Sequence, residues 1–124
     1  MDYATILRAL GDESRLRILN LFLQSNEQIC VCEMMDALNL PQYTISKHLT
    51  ILRSAGLITS GRHGTWVYNQ LNREHSNFMR SVFELLKQQF AEHYPDDIEA
   101  LNKRLGLRED GVCTVGVIPK EELL

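Results

Sequence analysis

The sequence predicts a mainly α-helical domain with one β-hairpin set between its fourth and fifth helices. Three observations carry that prediction. Apolar residues recur at helical spacing through residue 55, in segments cut by Gly11-Asp12, by Ser25 to Gln28 and by Asn39-Leu40-Pro41. A stretch rich in β-branched and aromatic residues, Leu57 to Leu71, is split by Gly61-Arg62-His63-Gly64. Helical spacing then resumes from His75.

Each element has its own justification. Tyr3, Ile6, Leu7 and Leu10 give the first helix a single apolar face, and Gly11 breaks it. Asp12, whose short carboxylate accepts backbone N–H groups, reads as the N-cap of a second helix running to about Leu23, with Leu16, Leu19, Phe22 and Leu23 along one side. A short third helix is read from about Cys30 to Leu38, and a fourth over 42–55, where Ile45, Leu49 and Leu52 fall at i, i+4 and i+7 and form a core stripe. Gly56 stops it. The hairpin pairs 57–61 with 65–71 around the two glycines of the tip. Phe78, Val82, Leu85, Leu86 and Phe90 mark a long helix from His75 to about His93, ended by Pro95. Residues 96–105 add a short helix, and a loosely held tail follows from Gly106. The expected organisation is one domain over 1–95 and a partly flexible C-terminal extension over 96–124.

Composition narrows the class. A chain of 124 residues with 44% hydrophobic content closes one modest core. The N-terminus lacks the pattern of a signal peptide, and no stretch approaches the roughly 18 apolar residues of a membrane helix. A cytoplasmic protein without a membrane partner is expected. Three cysteines, two of them separated by a single residue, point to reduced thiols rather than a disulfide framework. The net charge of -3 is unevenly spread: residues 40–80 hold Lys47, Arg53, Arg62, Arg73 and Arg80 against Glu74 alone, whereas 92–124 is acidic. A local basic face binds phosphate despite an acidic total.

Two short helices joined by a tight turn and followed by a basic-tipped hairpin make a winged helix-turn-helix, whose second helix enters the major groove. Here that helix is 42–55. At its start Gln42 pairs with adenine, Ser46 serves either base type, Lys47 reaches guanine or phosphate, and Tyr43 offers a hydroxyl and an apolar edge. Arg53, Arg62 and His63 complete the candidate DNA contacts. The bland alternative is that Gln42 and Ser46 merely begin a helix that Lys47 solubilises.

The blocks Ala9-Leu10-Gly11-Asp12-Glu13-Ser14-Arg15-Leu16-Arg17-Ile18-Leu19, Ile29-Cys30-Val31-Cys32-Glu33-Met34, Gln42-Tyr43-Thr44-Ile45-Ser46-Lys47-His48-Leu49 and Leu52-Arg53-Ser54-Ala55-Gly56-Leu57-Ile58 resemble the ArsR/SmtB metal- and metalloid-responsive repressors. The resemblance implies a homodimer joined through its first and last long helices, which leaves its operator when an inducer binds. Tyr3, Ile6, Leu7, Leu10, Phe78, Val82 and Phe90 supply apolar surface for such an interface, although a monomer core would use the same stripes. A two-fold dimer requires operator DNA with inverted half-sites.

In that family a Cys-Val-Cys block marks a site for As(III) or Sb(III), and in some members for cadmium or lead. Thiolates select such soft ions. The resemblance puts a third cysteine where this chain has Met35, a thioether that cannot become an anion. Cys113 is the only other thiol, either the third ligand, from its own or the partner subunit, or a free tail cysteine. The candidate metal set is therefore Cys30, Cys32 and Cys113, with As(III) or Sb(III) as inducer and Cd(II) or Zn(II) as alternatives. The family's long-helix zinc site lacks its ligands here, and His48 reads as a packing residue.

Residues two apart on a helix point about 200° apart, so two cysteines inside one helix grip a single ion only if the helix start unwinds. Rival readings are a cysteine-redox regulator of the same fold, a structural zinc site on the three cysteines, and a small thiol oxidoreductase. The last needs a Cys-x-x-Cys motif or a nucleophile in an anion-binding loop, and neither pattern occurs. An enzyme is not expected.

Overall fold

The first two helices begin on carboxylate caps. In the computed structural model, which describes residues 2–74, 76–109, 111 and 113, Asp2 accepts the Thr5 N–H at 3.1 Å ahead of α1 (Tyr3–Leu10). Asp12 accepts that of Arg15 at 3.1 Å ahead of α2 (Glu13–Ser25). Then follow β1 (Ile29–Cys30), α3 (Val31–Leu38), α4 (Gln42–Ser54), β2 (Ile58–His63), β3 (Trp66–Leu71), α5 (Asn77–Gln89) and α6 (Pro95–Leu105). The three strands form one antiparallel sheet in the order β1-β3-β2.

Four features differ from the sequence reading. Ile29 and Cys30 form a strand, so Cys30 precedes the helix as its extended N-cap (φ -87°, ψ 161°). Two residues are too few for periodicity to reveal. The hairpin turns on Gly64-Thr65 rather than on 61–64: His63 pairs with Trp66, and Gly64 alone at the tip takes the left-handed φ of +65° that a two-residue loop demands. Gly61 stays in the strand, opposite Tyr68. The long helix is shorter than its apolar pattern suggests, starting on a Ser76 cap and ending at Gln89. Pro95 then opens α6 at its first position, where a missing N–H costs nothing, instead of closing α5. His75 lies outside the described residues. Finally, the stretch after Gly106, expected as a loose tail, is fixed at Arg108 and Cys113 among the described residues.

The core gathers Ile18, Leu19 and Phe22 of α2, Met34 and Leu38 of α3, and Ile45, Leu49 and Leu52 of α4, with Leu57 and Ile58 entering the wing. Met35 packs against its edge. Ala100 and Leu101 of α6 belong to the same cluster. A two-pronged ion pair from Arg17 to Asp97, 2.8 Å on each prong, ties α6 to α2, and Arg17 also donates to the Leu38 carbonyl. No helix among the described residues is long and apolar enough to cross a membrane.

Candidate functional site

Burial of Ile45, Leu49 and Leu52 fixes which way α4 faces. Gln42, Tyr43, Ser46 and Lys47 are consequently exposed, Tyr43 at 80%. Arg53, at the far end of the helix, donates to Asn69 Oδ1 of β3 at 3.2 Å, so it ties α4 to the hairpin. Arg62 and His63 are exposed at the end of β2. His48 turns inward, 6% exposed, with its Nδ1 3.3 Å from Arg15 Nη1. Burial holds its imidazole below the ordinary range against the pull of Asp12, and Arg15 and Lys47 add to the lowering. Arg15 donates in addition to the carbonyls of Arg8 and Ala9 at the end of α1.

The three cysteines converge. Cys30 Sγ lies 2.9 Å from Cys32 Sγ and 3.3 Å from Cys113 Sγ, and the Cys32–Cys113 distance is 3.6 Å. All three are buried thiols. They are the group among the described residues whose ligand atoms are placed to hold a metal ion. The unwinding expected from helical geometry is not required, because Cys30 is extended and only Cys32 is helical. The hydrogen bond with Cys32, then burial, pushes the Cys30 thiol far up; burial, then Cys30, raises that of Cys113.

Around the sulfurs stand charged residues that the sequence reading did not single out. Glu33 accepts the Cys30 N–H at 3.1 Å, one half of a capping box. Both its oxygens take Arg108 at 2.7 Å. Burial acts to raise the Glu33 carboxyl, but the bonds from Arg108 and the Cys30 N–H outweigh it and hold it below the usual range. Arg104, fully buried, donates to Asp36 at 2.6 Å and reaches to 3.7 Å from Cys32 Sγ. Tyr68 Oη accepts the Cys113 N–H at 2.8 Å. Arg108 lies over the Tyr68 ring, 5.7 Å from its centroid. One signal was available in the chain: Glu33 stands three residues after Cys30, where a capping partner belongs.

The family described as bacterial regulatory protein, arsR family, matches residues 12–60. The arsenic resistance transcriptional regulator ArsR2 of Pseudomonas putida is 36% identical over 109 residues, covering 87% of this chain and 94% of the relative. Among solved structures, the transcriptional regulator HlyU of Vibrio vulnificus superposes with a TM-score of 0.58 at 31% identity, covering 70% of this chain and 85% of that one. A homodimeric winged helix-turn-helix DNA-binding domain from Mycobacterium bovis does so at 0.58 with 29% identity, covering 73% and 79%.

Proposed function

The chain belongs to the arsR family of bacterial transcriptional regulators, and from that premise we propose that it is a repressor which senses trivalent arsenic or antimony through Cys30, Cys32 and Cys113 and then releases its operator. It acts in the cytoplasm as a homodimer on DNA with inverted half-sites. Gln42, Tyr43, Ser46 and Lys47 read or flank the bases, and Arg53, Arg62 and His63 hold the backbone. The single observation that carries the reading is the convergence of three buried sulfurs from segments more than 80 residues apart in the chain.

The sulfur triangle suits a trivalent, pyramidal guest. At a metal–sulfur bond of about 2.3 Å, ligands stand about 3.8 Å apart at tetrahedral angles and about 3.3 Å apart at right angles. The observed 2.9, 3.3 and 3.6 Å put all three sulfurs within reach of one central atom. A structural zinc site uses four ligands, and the group has three among the described residues. Charge points the same way. Neutral arsenous acid condenses with three protonated thiols: three As–S bonds form, three As–O bonds break, and each thiol proton departs with a hydroxide as water. Oxidation state and net charge stay as they were. A divalent ion on three thiolates instead leaves a net negative charge in a buried cluster whose two guanidiniums, Arg104 and Arg108, already balance Asp36 and Glu33. The redox rival requires an accessible thiolate nucleophile, which the burial and raised thiols of Cys30 and Cys113 oppose.

Dimerisation is supported by exposed Tyr3 and Leu7 on α1 and Leu85 on α5, at 54%, 56% and 56%. Tyr3 packs edge-on against Phe78, joining the two helices into one apolar face. Opposed binding of inducer and operator with a coupling of about 1–3 kcal/mol weakens DNA affinity roughly 5- to 150-fold. The test is a DNA-binding titration at fixed salt with arsenite, antimonite, cadmium and zinc added in turn. Release by the trivalent ions, abolished when Cys30 and Cys32 are both replaced by serine, is expected. A double variant that still releases DNA normally rules the site out.

A further inference from the structure

Tyr68 stands where the thiol cluster meets the wing. In the middle of β3 it pairs with Cys30 of β1 on one side and with Gly61 of β2 on the other. It is 7% exposed and shares a buried cluster with the three cysteines, against which Trp66 packs. Its hydroxyl holds the backbone N–H of Cys113, and Arg108, which grips the Glu33 cap of Cys30, lies over its ring. The ring also meets that of His63 edge-on at 6.2 Å. The next residue, Asn69, receives Arg53 from the recognition helix. Both DNA-reading elements are thus attached to the strand that Tyr68 occupies.

Resting on the reading of the cysteines as the inducer site, we propose that Tyr68 is a positioning residue that carries occupancy of that site to the wing, so that the inducer acts on the hairpin as well as on the recognition helix. The unequal sulfur separations must become more alike when three sulfurs bind one atom. Cys30 is restrained by sheet pairing and Cys32 by α3, whereas Cys113 follows Gly111, a left-handed residue at φ +76°, and lies in neither helix nor strand. Adjustment therefore falls first on Cys113, whose N–H is bonded to Tyr68 Oη. A phenol ring has two side-chain torsions and no internal freedom, so displacement at its hydroxyl passes to the β3 backbone and to His63. The sheet then distributes it to β2 and, through Asn69, to Arg53.

Tyr68→Phe tests this by deleting the hydroxyl and keeping the ring. Arsenite binding is followed by thiolate-to-arsenic ultraviolet absorption. DNA binding is followed at fixed salt on a duplex selected from a random library by the arsenite-free protein. The expected result has three parts: affinity without arsenite within twofold of wild type, arsenite still bound at one per protomer, and a release factor reduced about fivefold, the equilibrium equivalent of one ordinary hydrogen bond. In the wild type, the backbone amide resonances of Gly61 and Gly64 shift on adding arsenite, which reports on the wing even if the variant folds poorly. An unchanged release factor in a variant that binds arsenite overturns the proposal. So does loss of arsenite binding by the variant, which makes Tyr68 a part of the site and not of the relay, and so do wing resonances that stay in place. A wild type that binds no arsenite overturns the parent reading, and this one with it, before Tyr68 is touched.

Discussion

Glu33→Gln isolates the charge at the centre of the grip that the C-terminal segment has on α3. Glu33 is fully buried, and its two oxygens take two bonds from Arg108 and one from the Cys30 N–H. The amide of glutamine still accepts the Cys30 N–H but presents no charge to the guanidinium. Removing one member of a buried ion pair costs about 3–5 kcal/mol. The Arg108 side chain keeps 10% of its surface in water and can turn outward, so the lower end, about 3 kcal/mol, is expected. Glu33→Ala forfeits the helix cap as well, about 1 kcal/mol more. For a domain of this size each kcal/mol lowers the melting temperature by about 4 °C, so the two variants melt roughly 12 and 16 °C below wild type. Urea denaturation at fixed protomer concentration is the assay, with an unchanged m-value as the sign that only stability moved. A Glu33→Gln variant within about 1 kcal/mol of wild type refutes the ion-pair argument, and an alanine variant no worse than glutamine refutes the capping one.

Other perturbations separate the roles of the remaining residues. Lys47→Ala should weaken binding to all duplexes alike and reduce the slope of log affinity against log salt by about one, whereas Gln42→Ala should cost about 1–3 kcal/mol on the preferred duplex and relax its sequence preference; a salt series on two duplexes checks both. Leu52→Ala, at a fully buried position, should cost about 2–5 kcal/mol in urea denaturation without changing the protein's choice of DNA sequence. Leu7→Glu should shift sedimentation from dimer to monomer. Asp12 has a carboxyl held below its ordinary value, first by the Arg15 N–H. Its contribution is fully present above about pH 4 and is lost as pH falls through the lower folded value; Asp12→Ala should flatten that part of the stability profile while costing about 1 kcal/mol at neutral pH.

Much of the fold was legible because the first, second and fourth helices announce themselves twice, by an apolar stripe and by a stop. Asp12, Gly56 and the stripe Ile45, Leu49 and Leu52 all hold in the structure. The misread features are those where one residue carries two meanings. Pro95 ends a helix or begins one, and only the packing of α6 on α2 and α3 decides between them. Gly61 and Gly64 both permit a turn, and the cross-strand register selects Gly64. Cys30 reads as helical in the sequence because β1 is two residues long and exists only by pairing with β3, some 40 residues away. At the site, the sulfur-bearing residues could be named from the chain, since cysteines are few. Their surroundings could not. Arg104, Arg108, Asp36 and Tyr68 are ordinary residues in the sequence, and their burial against the thiols depends on tertiary contacts spanning 45 residues or more.

The central claim is that filling the thiol site and holding DNA are energetically opposed, and linkage makes it reciprocal. Its most direct test is the arsenite affinity of the protein measured twice at one salt concentration, free and saturated with its selected duplex. The account predicts weaker arsenite binding on DNA, by the same roughly 5- to 150-fold factor with which arsenite weakens DNA binding. Equal arsenite affinity in the two states contradicts it.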